Sequence, residues 1–205
     1  MVKIYIHKIN REKLLREESE IFRLLPEWRK EKVQKLKVES SRLQSLAAGR
    51  LLMIALEKHP DAKYNISHSG DYVAVAVSDS AVGVDVEHKS DDGFKVSDRY
   101  FENAAKDYID GDQSRFRDVW TVKEAFLKCI RVGITVPLNS FTAEYGLDKV
   151  LKIRKLVDYR GLDKNFAAKD YYVVTTRLED GEYSLSLCSS KSNLTLDIER
   201  VEVLV

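Results

Sequence analysis

Two carboxylates stand two positions apart in the segment 83–87, which reads GVDVE. In an extended strand, side chains two apart project from the same face, about 6.6–6.8 Å from each other. Asp85 and Glu87 would therefore point together, with Val84 and Val86 buried on the reverse side. Paired carboxylates without His or Cys are hard oxygen ligands that suit Mg²⁺. The solvent-facing side of an ordinary antiparallel strand explains the same pattern, and the segment taken alone favours that explanation.

A glutamate and a lysine stand one helical turn apart in the segment 120–128, which reads WTVKEAFLK. The apolar positions in and around it have helical spacing and form one stripe, namely Val119, Val122, Phe126, Cys129 and Ile130. Glu124 and Lys128 share the opposite, polar side. An i,i+4 ion pair worth about 0.2–0.5 kcal/mol accounts for this spacing without any catalysis, and spacing alone favours that explanation.

A third polar group lies in the segment 65–70, which reads NISHSG and runs from a strand end into a turn. His68, with a hydroxyl on each side, could contact a phosphate, although a lone histidine in a turn more often has no such role. The sequence contains no GxGxxG, GxxxxGK[ST], HExxH or GxSxG motif. This disfavours dinucleotide oxidoreductases, P-loop enzymes, zinc peptidases and typical α/β-hydrolases.

The elements that would position these groups mix strands with helices. Helical periodicity covers residues 11–25, 27–58, 95–109 and 114–131. Strand-like patterns cover residues 2–7, 64–67, 72–77, 82–87, 141–145, 171–177, 183–188 and 198–204. The first strand alternates as a half-buried one does, and the turn Ser78-Asp79-Ser80 predicts a hairpin between the strands on either side. Hairpins without strict βαβ alternation predict an α+β fold.

The balance of charge limits the classes of partner. The 205 residues carry 34 Lys+Arg against 33 Asp+Glu, which argues against a dedicated nucleic-acid binder. Between Glu27 and Arg50, however, there are seven Lys or Arg and three Glu. That stretch could face an anionic ligand or could be a solvated helix face.

The cysteines and the hydropathy pattern indicate the compartment. Cys129 and Cys188 have neither CxxC spacing nor a neighbouring His cluster, so we predict buried thiols in a reducing compartment. The N-terminus lacks a signal-peptide core, and the longest apolar run, 51–56, is far shorter than the roughly 20 residues that span a bilayer. We therefore expect a soluble cytoplasmic protein with no membrane partner.

These polar segments, taken in order, resemble the motifs of the 4′-phosphopantetheinyl transferase superfamily, in its larger single-chain type that activates nonribosomal peptide and polyketide synthases. The matching segments are PDAKYNISHSG at 60–70, GVDVE at 83–87 and WTVKEAFLK at 120–128, with softer matches SLAAGR at 45–50 and GITVPL at 133–138. Each motif alone is weak evidence for the family, but the occurrence of all of them in the same order over residues 45–138 is a specific signal.

The resemblance implies a fold of two similar α+β halves related by a pseudo-twofold axis, residues 1–93 and 94–205. It implies a monomer that binds coenzyme A between the halves. The implied activity is transfer of the phosphopantetheine arm to a serine of an apo-acyl or peptidyl carrier protein, with Mg²⁺ or Mn²⁺ as cofactor. The protein would then be a holo-carrier-protein synthase.

The resemblance also assigns roles to individual residues. Asp85, Glu87 and Glu124 would hold the metal against the coenzyme A pyrophosphate, and Lys128 would bind the phosphates and stabilise the leaving group. Asp85, Glu124 and Lys128 would be the catalytic residues, with Glu124 or a metal-bound water accepting the proton of the serine. The remaining coenzyme-binding candidates are Ser67, His68, Arg42, Arg50 and Lys58.

One departure from the family pattern leaves an alternative open. Members usually have a Gly-Lys-Pro segment shortly before the Ser-His motif, whereas this chain has LEKHP at 56–60. Either Lys58 substitutes for that lysine or the contact is lost. The alternatives are a catalytically impaired relative that binds coenzyme A or a carrier protein, and an interaction domain with chance motifs.

Overall fold

The computed structural model describes residues 1–89, 100–156 and 169–204, and it is an α+β structure, as predicted. The α-helices of this part are α1 Arg11–Arg16, α2 Glu18–Leu24, α3 Glu27–Gln34, α4 Glu39–Lys58, α5 Asn103–Ile109 and α6 Gln113–Ile130. The strands are β1 Val2–Lys8, β2 Lys63–Ser69, β3 Tyr72–Ser78, β4 Val82–His88, β5 Phe141–Thr142, β6 Leu151–Lys152, β7 Arg154–Lys155, β8 Tyr172–Leu178, β9 Tyr183–Ser189 and β10 Ile198–Arg200.

Two four-stranded sheets form the centre of the molecule. The first has the order β10-β1-β3-β2, with β10 parallel to β1 and the other pairs antiparallel. The second has the order β4-β9-β8-β6 and is antiparallel throughout. Strands β5 and β7 form a separate short pair.

The sheets and helices stack in four layers. Helices α1 to α4 cover one face of the first sheet, and this core contains Leu14, Ile21, Leu46, Leu51 and Val75. The other face packs against the second sheet, through residues that include Ile6, Ala74, Ala76, Val84 and Leu187. Helix α6 covers the outer face of the second sheet, where Val119, Phe126, Val173 and Cys188 are buried.

The prediction that β1 is half buried is wrong. Tyr5 is 0 % exposed and His7 is 2 % exposed, although both lie on the side that was expected to be polar. Helix α4 packs on that side, and the second sheet covers the side of Ile4 and Ile6. A strand between two layers is buried on both faces, whatever alternation its sequence has.

The predicted hairpin between β3 and β4 is also wrong. The two strands belong to different sheets, because the turn at 78–80 carries the chain from one layer to the next. Val84 and Val86 of β4 then pack face to face with alanines of β3. The hairpin joins β2 to β3 instead, through a two-residue Gly70-Asp71 loop in which Gly70 has a φ of 53°.

The two long N-terminal helices that we predicted are each divided. The first breaks at Glu17 between α1 and α2, and the second breaks between α3 and α4. The second break lets α3 fold back on α4, where Arg29 donates a hydrogen bond of 2.6 Å to the carbonyl oxygen of Ser45. Of the predicted helix at 95–109, residues 95–99 lie outside the described residues.

The second half follows the prediction more closely. Strands β8 and β9 and helix α6 start and end within two residues of their predicted bounds. The predicted strands at 141–145 and 198–204 are shorter, and β6 and β7 were not predicted. Cys129 and Cys188 are free and buried, as expected. No helix in the described ranges has the length and apolar character needed to cross a bilayer.

The sheets do not follow the predicted division of the chain near residue 93, a point that itself lies outside the described residues. Strand β4 precedes that point but lies in the second sheet, beside β9. Strand β10, near the end of the chain, pairs with β1 in the first sheet. The two halves and their pseudo-twofold relation stay predictions.

Candidate active site

A pocket of about 280 Å³ lies where β2, β4 and α6 meet. The residues that line it are Ile66, Ser67, His68, Asp85, Glu87, Trp120, Glu124 and Lys128. The three polar segments, which are separate in the sequence, therefore come together at one place. The roles assigned to their residues stay predictions.

Strand β4 presents its two carboxylates to α6. Val84 and Val86 are buried between the sheets, so Asp85 and Glu87 project from the opposite face, as the strand period predicts. Gly83 is on the same face as the carboxylates and lies directly under α6. A Cβ atom there would stand 2.0 Å from the backbone oxygen of Ala125 and 2.5 Å from the backbone nitrogen of Cys129. The strand and the helix thus approach as closely as a glycine allows.

Helix α6 presents the other two ionisable groups. It begins at an Asp112 cap, whose carboxylate accepts the backbone N–H groups of Ser114 and Arg115 at 2.7 and 3.0 Å. The predicted apolar stripe is buried against the second sheet. Glu124 and Lys128, one turn apart, consequently face the pocket.

Lys128 forms its ion pair with Asp85 of β4. Its ammonium group lies 2.6 Å from Asp85 Oδ1 and donates to Ser67 Oγ at 3.0 Å. The Ser67 hydroxyl in turn donates to the same Asp85 oxygen at 2.8 Å. The lysine thus links three elements, which an ordinary ion pair within one helix would not do.

The pocket carboxyl groups are held in an environment that disfavours their negative charge. Burial raises the pKa of Asp85 despite the neighbouring Lys128. Burial, and then the charge of Asp85, raises the pKa of Glu87 to about 7. The same two causes raise the pKa of Glu124. The site therefore gathers more negative charge than its own lysine compensates.

Two buried carboxylate oxygens support a cation as the missing counter-charge. Asp85 Oδ2 and Glu124 Oε1 have no hydrogen-bond partner among the described residues. Buried oxygens of this kind are costly unless a donor or a cation satisfies them. Within those residues, no three His, Cys, Asp or Glu side chains are already close enough to enclose an ion, so the carboxylates would have to converge on it. The all-oxygen donor set fits Mg²⁺ or Mn²⁺.

Positive charge lies on the other side of the pocket, around His68. Its ring is accessible at the rim, and its pKa is lowered by partial burial and by the charges of Lys32, Lys128 and Arg29. Arg29 is 3 % exposed, and its Nε has no partner among the described residues. Neither Arg29 nor Lys32 was predicted as a site residue, although the basic stretch from Glu27 to Arg50 contains both.

The other predicted coenzyme-binding residues do not line this pocket. Arg42 pairs with Glu18 beside a separate groove between α2, α3 and α4. Arg50 lies 3.8 Å from Glu57, and Lys58 pairs with Glu199 at 2.6 Å. Their assignment stays a prediction. Trp120, the first residue of the segment 120–128, was assigned no role. It lines the pocket and stacks on Phe116 with a centroid distance of 6.1 Å.

Comparisons with known proteins agree with the geometry. The family model of the 4′-phosphopantetheinyl transferase superfamily matches residues 81–188, which is more than half of the chain and includes Asp85, Glu87, Glu124 and Lys128. The segment with Ser67 and His68 precedes that match.

Individual relatives extend the similarity. The 4′-phosphopantetheinyl transferase psf-1 of Bacillus pumilus is 32% identical over 152 residues, which cover 71% of this chain and 59% of the relative. The 4′-phosphopantetheinyl transferase Sfp of Bacillus subtilis (strain 168) is 29% identical over 148 residues, 69% of this chain and 61% of the relative. The 4′-phosphopantetheinyl transferase gsp of Aneurinibacillus migulanus is 35% identical over 88 residues, 40% of this chain and 36% of the relative.

The matches to psf-1 and Sfp thus span about three fifths of the length of those relatives. The matched part contains the strand and the helix that carry the pocket acids. The chain belongs to the 4′-phosphopantetheinyl transferase superfamily.

Proposed function

We propose that this chain moves the phosphopantetheine arm of coenzyme A onto a serine of an apo-carrier protein and releases 3′,5′-adenosine bisphosphate. The observation that carries the proposal is one pocket with three carboxyl groups of raised pKa, two of them with unpartnered buried oxygens, beside Lys128. Membership of the superfamily supports it.

The reaction forms a bond between the serine oxygen and the β-phosphorus of coenzyme A. It breaks the bond from that phosphorus to the oxygen that bridges the two phosphates, and this oxygen leaves with the adenosine bisphosphate. The serine proton must be accepted, and the negative charge on the leaving oxygen must be stabilised. The pocket has a group suited to each task.

Asp85, Glu87 and Glu124 would hold Mg²⁺, with Mn²⁺ as a substitute. A bound divalent cation supplies Lewis-acid charge and a template for the pyrophosphate. The unpartnered oxygens of Asp85 and Glu124 are suitable ligand atoms, because they are buried and lack donors among the described residues. Occupation of the site would also offset the burial and the repulsion from Asp85 that raise the pKa values of Glu87 and Glu124.

Lys128 and Glu124 would act on the reacting atoms. Lys128 is anchored by Asp85 and Ser67, yet its side chain is 29% exposed and so remains accessible from the pocket. A fixed ammonium group there stabilises the charge that grows on the leaving oxygen. Glu124 lines the pocket one helical turn from Lys128 and would accept the serine proton.

The positive side of the pocket would bind the anionic substrate. Lys32 and Arg29, which are close enough to His68 to lower its pKa, offer positive charge to the phosphate groups, and the His68 ring at the rim would donate a hydrogen bond. We keep Ser67, Arg42, Arg50 and Lys58 as proposed coenzyme-binding residues, although the last three lie outside the pocket.

A labelling assay tests the proposal. The protein is incubated with a fluorescent coenzyme A analogue, Mg²⁺ and an apo-carrier protein, and transfer is followed on the carrier. We expect Asp85→Asn and Glu124→Gln to lower turnover about 100-fold or more, because each removes a charge that the transition state requires. Asp79→Asn is the matched control, because Asp79 is exposed and pairs with Lys191 away from the pocket. Turnover that is unchanged in either pocket variant would refute the assignment.

The second candidate, an impaired binding relative, is distinguished by the same assay. Coenzyme A would raise the unfolding temperature of such a protein without any transfer to the carrier. The missing Gly-Lys-Pro segment favours this candidate, and the three pocket carboxyl groups with Lys128 favour the enzyme, because binding alone does not require them.

We further propose that the protein acts as a cytoplasmic monomer on a small acidic carrier domain. The buried free thiols of Cys129 and Cys188 support a reducing compartment. Analytical ultracentrifugation of the full chain tests the oligomeric state, and labelling of several carriers identifies the pathway.

A further inference from the structure

Strands β2 and β4 lie side by side, each at the edge of its own sheet, and side chains join them. Asn65 Oδ1 accepts the backbone N–H of Val84 at 3.0 Å. Ser67 Oγ accepts that of Val86 at 3.3 Å, and Ser69 Oγ accepts that of His88 at 3.0 Å. Each pair is separated by the same 19 positions in the chain. The side chains of alternate β2 residues thus accept hydrogen bonds from alternate backbone N–H groups of β4. In an ordinary sheet, the carbonyl oxygens of a neighbouring strand would accept these bonds.

The two serines also hold the carboxylates of β4. The Ser67 hydroxyl donates to Asp85 Oδ1 at 2.8 Å, and the Ser69 hydroxyl donates to Glu87 Oε2 at 2.8 Å. Each serine therefore contacts a carboxylate and the N–H group of the next residue at the same time. This fixes the carboxylate relative to its own backbone.

The hydrogen-bonding capacity of Ser67 is fully used in this arrangement. Its one proton goes to Asp85, and its two lone pairs accept from the N–H of Val86 and from Lys128. The hydroxyl of Ser67 could therefore donate to a phosphate only by giving up its hydrogen bond to Asp85. Its place in the pocket wall is explained by the carboxylate that it holds.

We propose that Asn65, Ser67 and Ser69 are positioning residues, which fix β4 and aim its two carboxylates at the metal. This inference rests on the metal site of the proposed function. The side-chain oxygen of Asn65 accepts from a backbone N–H of β4, so Asn65 sets the position of the strand. The serines set the orientation of the ligands: because Ser67 holds Asp85 Oδ1, the unpartnered Oδ2 is the oxygen left for a cation. Groups that orient metal ligands in this way typically contribute about 10–100-fold to metal affinity.

Binding of Mn²⁺ to the full chain without coenzyme A, followed by electron paramagnetic resonance, tests the inference independently of turnover. We expect Ser69→Ala to weaken Mn²⁺ binding about 10-fold or more. Ser69→Thr, which keeps the hydroxyl, should bind as the unaltered chain does. Ser189→Ala is the matched control, because that serine is also a strand residue with a hydrogen-bonded hydroxyl but contacts Ala81 and Ser80 away from the pocket.

Two further measurements separate positioning from a structural role. The unfolding temperature of Ser69→Ala should stay close to that of Ser189→Ala, and Ser69→Ala should have no added effect on Mn²⁺ binding in a Glu87→Gln background. Equal Mn²⁺ affinity of Ser69→Ala and the unaltered chain would overturn the positioning role while leaving the proposed function intact. Failure of the unaltered chain to bind Mn²⁺ would instead overturn the metal site, and the inference with it.

Discussion

The contact between β4 and α6 at Gly83 makes a sharp prediction for the variant Gly83→Ala. The added Cβ would stand 2.0 Å from one backbone atom of α6 and 2.5 Å from another. Rotation of a side chain cannot relieve contacts with backbone atoms. The strand and the helix must therefore separate by about 1 Å before the Cβ reaches even a close carbon–oxygen contact.

The ionisable groups of the pocket are divided between this strand and this helix. Strand β4 carries Asp85 and Glu87, and α6 carries Glu124 and Lys128. A separation of about 1 Å would pull the two pairs apart, and a displacement of that size can cost about 100-fold in rate. Overpacking of this kind also lowers the free energy of unfolding by about 1–3 kcal/mol.

The assay is carrier labelling at saturating coenzyme A, together with denaturant unfolding of the same samples. Gly146→Ala is the matched control, because a Cβ there would meet the flexible side chain of Lys149 rather than backbone. We expect the control to keep both activity and stability. If Gly83→Ala kept full turnover and stability, the close approach of strand and helix would be refuted.

Two further predictions concern buried charge. In the metal-free chain, the pKa of Glu87 is raised from 4.5 to about 7, so the folded state holds its proton more tightly than the unfolded chain does. The free energy of unfolding should therefore fall by about 3 kcal/mol as the pH rises through this range, while the affinity for Mg²⁺ rises. Thermal unfolding at several pH values, with and without Mg²⁺, measures both, and a pH-independent stability would contradict this. Lys123→Met should lower the free energy of unfolding by about 3–5 kcal/mol, because it leaves the buried carboxylate of Glu102 without the ammonium group that lies 2.5 Å away. Lys152→Met removes an exposed ion pair with Asp170 and should lower the free energy of unfolding by under about 1 kcal/mol. Equal losses for the two variants in urea unfolding would refute the distinction between the buried pair and the exposed pair.

The sequence predicts which ionisable residues lie on the same face of one strand or one helix, because this depends only on their spacing within that element. The two-residue period of β4 places Asp85 and Glu87 on one face, and the helical period places Glu124 and Lys128 together. Their meeting in one pocket could be predicted only through the family resemblance. No local pattern states that β4 and α6 pack against each other at Gly83.

Sheet membership could not be predicted, because it depends on contacts between residues far apart in the chain. The apolar residues of β3 and β4 fit a hairpin as well as they fit two facing sheets, and the structure has the second arrangement. The positions of Arg29 and Lys32 beside His68 depend likewise on the break between α3 and α4. No local pattern marks Lys123 as buried, yet it is 0 % exposed and donates to the carbonyl oxygens of Leu138 and Phe141 and to Glu102.

Strands β4 and β10 each pair with strands that lie far away in the sequence. The strand with the pocket acids completes a sheet built largely from later residues, and a late strand completes the sheet that begins the chain. Either portion made alone would expose an unpaired strand edge, which favours aggregation. The pocket carboxyl groups of β4 can therefore take their places in the second sheet only after β9 has been synthesised, so a chain that stops before β9 would lack the complete acidic cluster.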